Sequence, residues 1–377
     1  MSALGTSIRI ILGRVHGRRL ARAIATQTPA ITPVAVYFAD GPSNLYQLRR
    51  WYHTLEALNR VRATGVITSD PSTYEIVRRE TTVPVTYAFG APELTRVLAR
   101  QGVRLVLYPN HSAENFRVLR FSSPVHVFIG HGESAKESSV SRQLKAYDFT
   151  FVADRASIEQ LRGIRGYDAD AAAVVVGNPW LGFLGAPPPS WIPDGRTVVL
   201  YAPTWEGDRP SMDYSSLETL GNAIVAAVLA DPALRLIYRP HPWLGRVRPT
   251  SAAADARIRR TITLANRGDI VDTGEYGWSL SVADCCVADV SSVAFDARAL
   301  GKPVLVTVPT NASVPPISDA ALAGMRRLDS ADPAGIRGFL DTVRPKNAAR
   351  DTTQATSMDA FVAAIDEAIR LAADPTL

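Results

Sequence analysis

Two histidines in this sequence stand in short motifs that can bring an imidazole up to a bound ligand. His131 lies in Gly130-His131-Gly132, directly after the apolar run Val125 to Ile129, with Lys136 close behind. Flanking glycines let the backbone approach a ligand closely. A histidine there can take a proton from an attacking hydroxyl, since its reference pKa is near 6.5, and Lys136 can neutralise phosphate. His241 lies in Arg239-Pro240-His241-Pro242, after the run Leu234 to Tyr238. Arginine and histidine at a strand end suit a diphosphate or a leaving phosphate. Two further motifs carry hydroxyls. Tyr201-Ala202-Pro203-Thr204-Trp205 closes another apolar run, and Thr204 can donate to a phosphate oxygen. In Ala288-Asp289-Val290-Ser291-Ser292, Ser291 is a candidate N-cap and Ser292 falls in the first turn of the helix that follows. Helix N-termini with hydroxyls and free N–H groups bind phosphate well.

Each motif also has a purely structural reading: a loop histidine satisfied by backbone, Arg239 paired with a nearby acid, Asp289 finishing a strand, Ser291 merely capping. Weaker candidates are Asp272, which could shape a nucleotide pocket or only make a turn, and Glu275, which could bind a ribose hydroxyl or only carry surface charge. His111, after the run Val103 to Tyr108, could face the same cleft. Neither HExxH nor GxxxxGK[ST] occurs, so neither a metal nor a cofactor is expected.

The elements that must position these residues alternate between strand and helix patterns. The apolar runs Val34 to Phe38, Val66 to Thr68, Val83 to Phe89, Val103 to Tyr108 and Val125 to Ile129 read as strands. Asn44 to Asn59, Pro71 to Glu80 and Pro92 to Gln101 have helical periodicity, the last closed by Gly102. After a stretch rich in Pro and Gly the pattern restarts, with strands at Thr197 to Tyr201, Leu234 to Tyr238, Cys285 to Ala288 and Pro303 to Val308. This repetition predicts an α/β chain with two Rossmann-like, doubly wound domains and an interdomain cleft. The expected boundaries are a basic N-terminal segment (1–30), an acceptor domain (31–180), a Pro-rich linker (181–195), a nucleotide-donor domain (196–355) and a C-terminal helix (356–377).

The 377 residues carry a net charge of +5, from 41 basic and 36 acidic residues. Arg9, Arg14, Arg18, Arg19 and Arg22 fall in the first 30 residues, which hold no acid, so the rest of the chain is neutral. A neutral body argues against a broad nucleic-acid surface. The segment 1–30 has no apolar run long enough for a membrane span or a signal peptide; it could instead lie as a basic amphipathic helix on an anionic membrane surface. The only cysteines, Cys285 and Cys286, are adjacent and build no disulfide framework, so a reducing, cytoplasmic setting is expected, and the basic segment would place the chain peripherally on the inner face of the membrane.

Taken together and in order, HGESAK (131–136), LYAPTWEG (200–207), RPHP (239–242) and ADCCVADVSSVAFDARALGKPVL (283–305) resemble the CDP-glycerol glycerophosphotransferase family of teichoic acid primases and polymerases. YDFTFVADRASIEQL (147–161) fits the same resemblance. It implies a GT-B-like fold and transfer of glycerol phosphate from CDP-glycerol, or of the corresponding polyol phosphate from a related nucleotide-diphosphate donor such as CDP-ribitol, to a membrane-linked glycan or polyol-phosphate acceptor. His131 becomes the candidate base, His241 with Arg239 the contact to the donor diphosphate, Ser291 and Ser292 the phosphate site, and Thr204 a donor-side support. Two motifs depart from the family: Glu133-Ser134-Ala135 stands for Thr-Pro-Leu, and Ala288-Asp289-Val290-Ser291-Ser292 for Thr-Asp-Tyr-Ser-Ser. The alternatives are a GT-B glycosyltransferase with a nucleotide-sugar donor, which would use the same cleft, and a non-catalytic membrane-associated binding protein.

Overall fold

The central strands are short apolar runs whose residues are buried on both sides, so they must sit in sheets covered on both faces. The computed structural model describes residues 17, 19–20, 30–134, 140–309, 311–328, 333–343 and 358–373. Most of the Arg-rich segment 1–30, and Lys136, therefore lie outside the described residues. Among the described residues no helix is long and apolar enough to cross a membrane.

The first sheet contains β1 (Val34–Phe38), β2 (Thr64–Thr68), β3 (Val85–Tyr87), β4 (Leu105–Tyr108), β5 (Val125–Phe128), β6 (Phe149–Val152) and β7 (Ala173–Val175), in the order β3-β2-β1-β4-β5-β6-β7. All its pairings are parallel. The second sheet contains β8 (Thr197–Ala202), β9 (Leu234–Tyr238), β10 (Ile270–Val271), β11 (Cys285–Asp289), β12 (Val304–Thr307) and β13 (Arg326–Leu328), in the order β10-β9-β8-β11-β12-β13, again all parallel. Each sheet reverses its strand order once, between β1 and β4 and between β8 and β11. Ligands of open α/β sheets bind outside the carboxyl ends of the strands at such reversals.

The helices include α1 (Leu45–Arg49), α2 (Tyr52–Val61), α3 (Pro71–Glu80), α4 (Ala91–Gln101), α5 (Arg155–Leu161), α6 (Gly221–Leu229), α7 (Pro249–Ala265), α8 (Ser292–Ala299) and α9 (Met358–Leu371), with further helices such as Pro333–Leu340 and shorter turns between them. Asp70 caps α3 by accepting from the Thr73 N–H at 2.7 Å, and Gly102 ends α4 in the left-handed conformation that favours glycine. The periodicity from Asn44 to Asn59 predicts one helix, but the chain forms two, α1 and α2, separated at Arg50 and Trp51. The break accompanies two long-range contacts: Arg50 reaches into the second lobe, and the Trp51 indole donates to the Gly130 carbonyl at 2.6 Å.

Between β7 and β8 the Pro-rich stretch is mostly exposed and is anchored at a few aromatic and aliphatic residues. Trp180, Leu181 and Trp191 are buried, and Trp191 carries the Arg235 guanidinium over its ring at 3.8 Å. The C-terminal helix α9 returns to the first sheet and packs beside β4 and β5. Its Phe361 is fully buried, with ring centroids 5.6 Å from Trp51 and 6.0 Å from Phe151. On the rim, Arg62 pairs with Asp366, and Arg104 donates to the Ile369 carbonyl at 3.1 Å. Phe361 thus backs the indole that holds the Gly130 carbonyl. Truncating a buried phenylalanine removes its transfer energy and leaves a cavity. We expect Phe361→Ala to destabilise the chain by about 3–5 kcal/mol, read as a lower midpoint in thermal or urea unfolding.

Candidate active site

The loops at the carboxyl ends of the strands converge from both lobes on one cavity of about 390 Å³. From the first lobe it takes His111 after β4 and Gly130, His131, Gly132 and Glu133 after β5; from the second it takes Thr204 and Trp205 after β8, His241 after β9, and Ser291 and Ser292 after β11. Of the residues singled out in the sequence, His131, His241, Thr204, Ser291 and Ser292 therefore meet at one place, and His111 faces it too.

Hydrogen bonds set the two histidines in opposite tautomers. Nδ1 of His131 lies 2.9 Å from the Pro109 carbonyl, which can only accept, so Nδ1 holds the proton and Nε2 is bare. Nδ1 of His241 instead accepts the Trp243 backbone N–H at 3.0 Å, so Nε2 of His241 carries the proton. Burial pushes the His131 pKa down to about 4, against the opposing Pro109 hydrogen bond and with help from the nearby Arg50 charge. His131 is thus a neutral imidazole at neutral pH, able to accept a proton. Its neighbour His111 stacks on Phe128 at 4.1 Å and is also lowered to about 4, by burial and then by His131.

The phosphate-type end is the start of α8. Ser291 occupies the N-cap position, yet its side chain makes no capping bond, and its buried Oγ has no hydrogen-bond partner. Ser292 Oγ accepts from Arg50 Nη1 at 3.3 Å. Gly132 presses against this helix start at φ 126°, where a Cβ would stand 2.6 Å from the Ser292 Cβ. Only glycine allows that approach.

Three residues read as donor-binding candidates, Arg239, Asp289 and Glu275, do not line the cavity. Arg239 does not line the cavity: its guanidinium pairs with the buried Asp272 and donates to the carbonyls of Gly274 (3.1 Å) and Glu275 (3.2 Å). A buried carboxylate needs a countercharge, and Asp272 takes this one. Asp289 is fully buried beneath the site, accepting from the Thr204 N–H (2.6 Å), the Ser216 N–H (3.1 Å) and the Thr307 hydroxyl. It shapes the Thr204 loop from below. The Glu275 side chain is exposed outside the cavity lining. Lys136 lies outside the described residues.

Tyr46 and Glu133 in the cavity wall, and Arg50 and Glu206 packed behind it, were not among the candidate site residues read from the sequence. Arg50 pairs with Asp296 of α8, which also accepts from the Tyr276 hydroxyl and, at 3.4 Å, from the Trp180 indole. The Arg50 guanidinium lies 4.2 Å from the Tyr276 ring centroid and 4.9 Å from that of Trp180. Tyr46 sets its ring edge-on to both His131 and His241. Glu133 accepts from the Ala153 N–H at 2.7 Å and from Ser157, and burial raises its pKa to about 7. Glu206 gathers the N–H groups of Gly245, Val247 and Arg248, each at 2.9 Å, fixing the loop after His241. Tyr46, Arg50 and Trp51 sit within a helical pattern that reads as core, and local sequence carries no sign of partners as distant as the one Arg50 finds in Ser292, more than 200 residues away.

Residues 128–311 match the family model of CDP-Glycerol:Poly(glycerophosphate) glycerophosphotransferase. The matched segment is about half of the chain, and its likeness to that family supports a transferase. No curated protein matches the chain. Among solved structures, UDP-GlcNAc 2-epimerase from Neisseria meningitidis bound to UDP-GlcNAc is similar over 90% of this chain and 99% of its own, at 14% identity and TM-score 0.57. A putative UDP-N-acetylglucosamine 2-epimerase from Listeria monocytogenes is similar over 91% and 96%, at 16% identity and TM-score 0.55. A variant of the wall teichoic acid polymerase TagF soaked with CDPG is similar over 98% of both chains, at 13% identity and TM-score 0.54. At these identities the likeness is one of fold, and that fold is the GT-B arrangement of two parallel-sheet domains.

The histidine burial has a consequence for stability. Unfolded histidine binds a proton near pH 6.5, whereas His131 and His111 resist it until about pH 4. Between those values the unfolded state holds more protons at these two sites, so their contribution to stability is full above about pH 6.5 and falls as pH drops toward 4, opposed in part by Glu133, whose pKa raised to about 7 favours the folded state as it takes its proton. We expect the thermal midpoint to fall over that window, and His131→Asn, which cannot take the proton, to show a smaller fall.

Proposed function

We propose that the chain moves glycerol phosphate from CDP-glycerol to a hydroxyl of a cell-envelope glycan or glycolipid, releasing CMP. The observation that carries this reading is the pair of opposed tautomers on one cavity: a bare Nε2 on His131 and a protonated Nε2 on His241. The acceptor hydroxyl sits against His131, which takes its proton as the oxygen attacks the β-phosphorus. The bond from that phosphorus to the oxygen of the CMP phosphate breaks. His241 donates from Nε2 to the departing phosphate, and the Ser291 hydroxyl and the start of α8 meet its charge. Positioning and electrostatics of this kind supply most of the catalysis in phosphoryl transfer. The family match supports the donor class, and the bare Nε2 of His131 supports attack by a hydroxyl.

The test is a calorimetric panel of CDP-glycerol, CDP-ribitol, UDP-sugars and GDP-sugars against wild type and His241→Ala. Selective CDP-glycerol binding, weakened about tenfold or more by the substitution, is the expected result; losing one hydrogen bond to a charged group is of that size. Selective UDP- or GDP-sugar binding would overturn the donor assignment in favour of glycosyl transfer in the same cleft.

A further inference from the structure

A hydrogen-bond chain beginning at Asp40 fixes where one hydroxyl of the cavity must point. The Asp40 carboxylate accepts from Asn44 Nδ2 (2.8 Å), Asn110 Nδ2 (3.0 Å) and Ser112 Oγ (2.7 Å). A carboxylate accepts and does not donate, so Asn110 must turn its amide nitrogen towards it. That same nitrogen lies 2.9 Å from Gln47, so Gln47 must present its oxygen there. The Gln47 amide nitrogen is then left to donate to Tyr46 Oη, at 3.2 Å. The Tyr46 oxygen is thus used as an acceptor, and its proton has to go elsewhere. Among the described residues no acceptor meets it, and Tyr46 lines the cavity.

The ring is placed as closely as the hydroxyl. Its centroid lies 5.9 Å from that of His131 at an interplanar angle of 89°, and 5.5 Å from that of His241 at 81°. Tyr46 is the aromatic residue that touches both histidines, one from each lobe. Burial also raises the pKa of its hydroxyl, so it remains a donor across the neutral range.

We propose that Tyr46 is a further catalytic residue, whose hydroxyl donates to a non-bridging oxygen of the phosphoryl group held between His131 and His241. This rests on the reading of the cavity as a nucleotide-diphosphate site. The hydroxyl adds no charge and transfers no proton. It meets negative charge that builds on the phosphoryl oxygen, and the Asp40–Asn110–Gln47 chain keeps it aimed before the substrate arrives. A fixed donor costs no reorganisation during the reaction.

The test compares wild type, Tyr46→Phe and Tyr46→Ala. Phenylalanine keeps the ring edge against both histidines and removes only the hydroxyl. Pyrophosphate binding is measured by calorimetry, since it probes a diphosphate site whichever nucleoside or transferred group is natural. CMP release from CDP-glycerol is measured separately, and histidine ring NMR shifts are followed in all three proteins. We expect Tyr46→Phe to bind pyrophosphate about 10-fold more weakly and to lower kcat by about 10- to 100-fold, with the histidine shifts retained. Tyr46→Ala moves the histidine shifts as well. Pyrophosphate binding and turnover of Tyr46→Phe within about twofold of wild type would overturn the proposal and leave the ring as packing. So would a wild type that binds no pyrophosphate. A wild type that binds pyrophosphate but ignores CDP-glycerol would sink the donor assignment alone, with the pyrophosphate comparison still deciding the role of Tyr46.

Discussion

The buried ion pair of Arg50 with Asp296 is the contact on which the site's geometry depends. It joins the end of α1 in the first lobe to α8 in the second, and both side chains are almost fully withdrawn from water. Removing two charges from water costs several kcal/mol per ion, so such a pair persists only where the remaining donors and acceptors are met. Here Tyr276, Trp180 and Ser292 meet most of them. What the pair contributes is position. It draws Gly132 against Ser292, so that the loop of His131 and the free hydroxyl of Ser291 face the same space.

Around that contact the residues on one side of a short segment reach across the cleft together. The Ser43 carbonyl accepts from the Trp243 indole at 3.1 Å, Tyr46 meets His241, and Arg50 meets Asp296. These positions are three and four residues apart, the spacing of one helical face. From behind, Trp51 holds the Gly130 carbonyl and is backed by Phe361 of the C-terminal helix. The two lobes are therefore tied at the site itself, and the last helix among the described residues supports the first-lobe loop that carries His131.

The strand and helix pattern was readily legible in the sequence because apolar runs and breakers such as Gly102 act locally. Val34–Phe38, Pro71–Glu80 and Leu234–Tyr238 form the elements their periodicity predicts. The gathering of His131, His241, Thr204 and Ser291 was legible too, since each follows a strand and strand ends share one side of a parallel sheet. Which charged residues face the ligand was not. Arg239 reads as a phosphate contact while its pairing with Asp272 is out of view, and Asp289 reads as a donor contact or the end of a strand while Thr204, Ser216 and Thr307 around it are out of view. Arg50 and Tyr46 were hidden for the converse reason. A helical stripe that packs against its own lobe and one that reaches another lobe have the same periodicity.

The central claim is attack at the β-phosphorus of a cytidine diphosphate donor, and the nucleotide that leaves reports it. Purified protein is incubated with CDP-glycerol and extracted membrane lipids as acceptor, and the released nucleotide is followed by phosphorus NMR. The account predicts CMP, with glycerol phosphate appearing on the acceptor and no CMP formed by His131→Ala. Release of CDP, with the diphosphate bond intact, would contradict it.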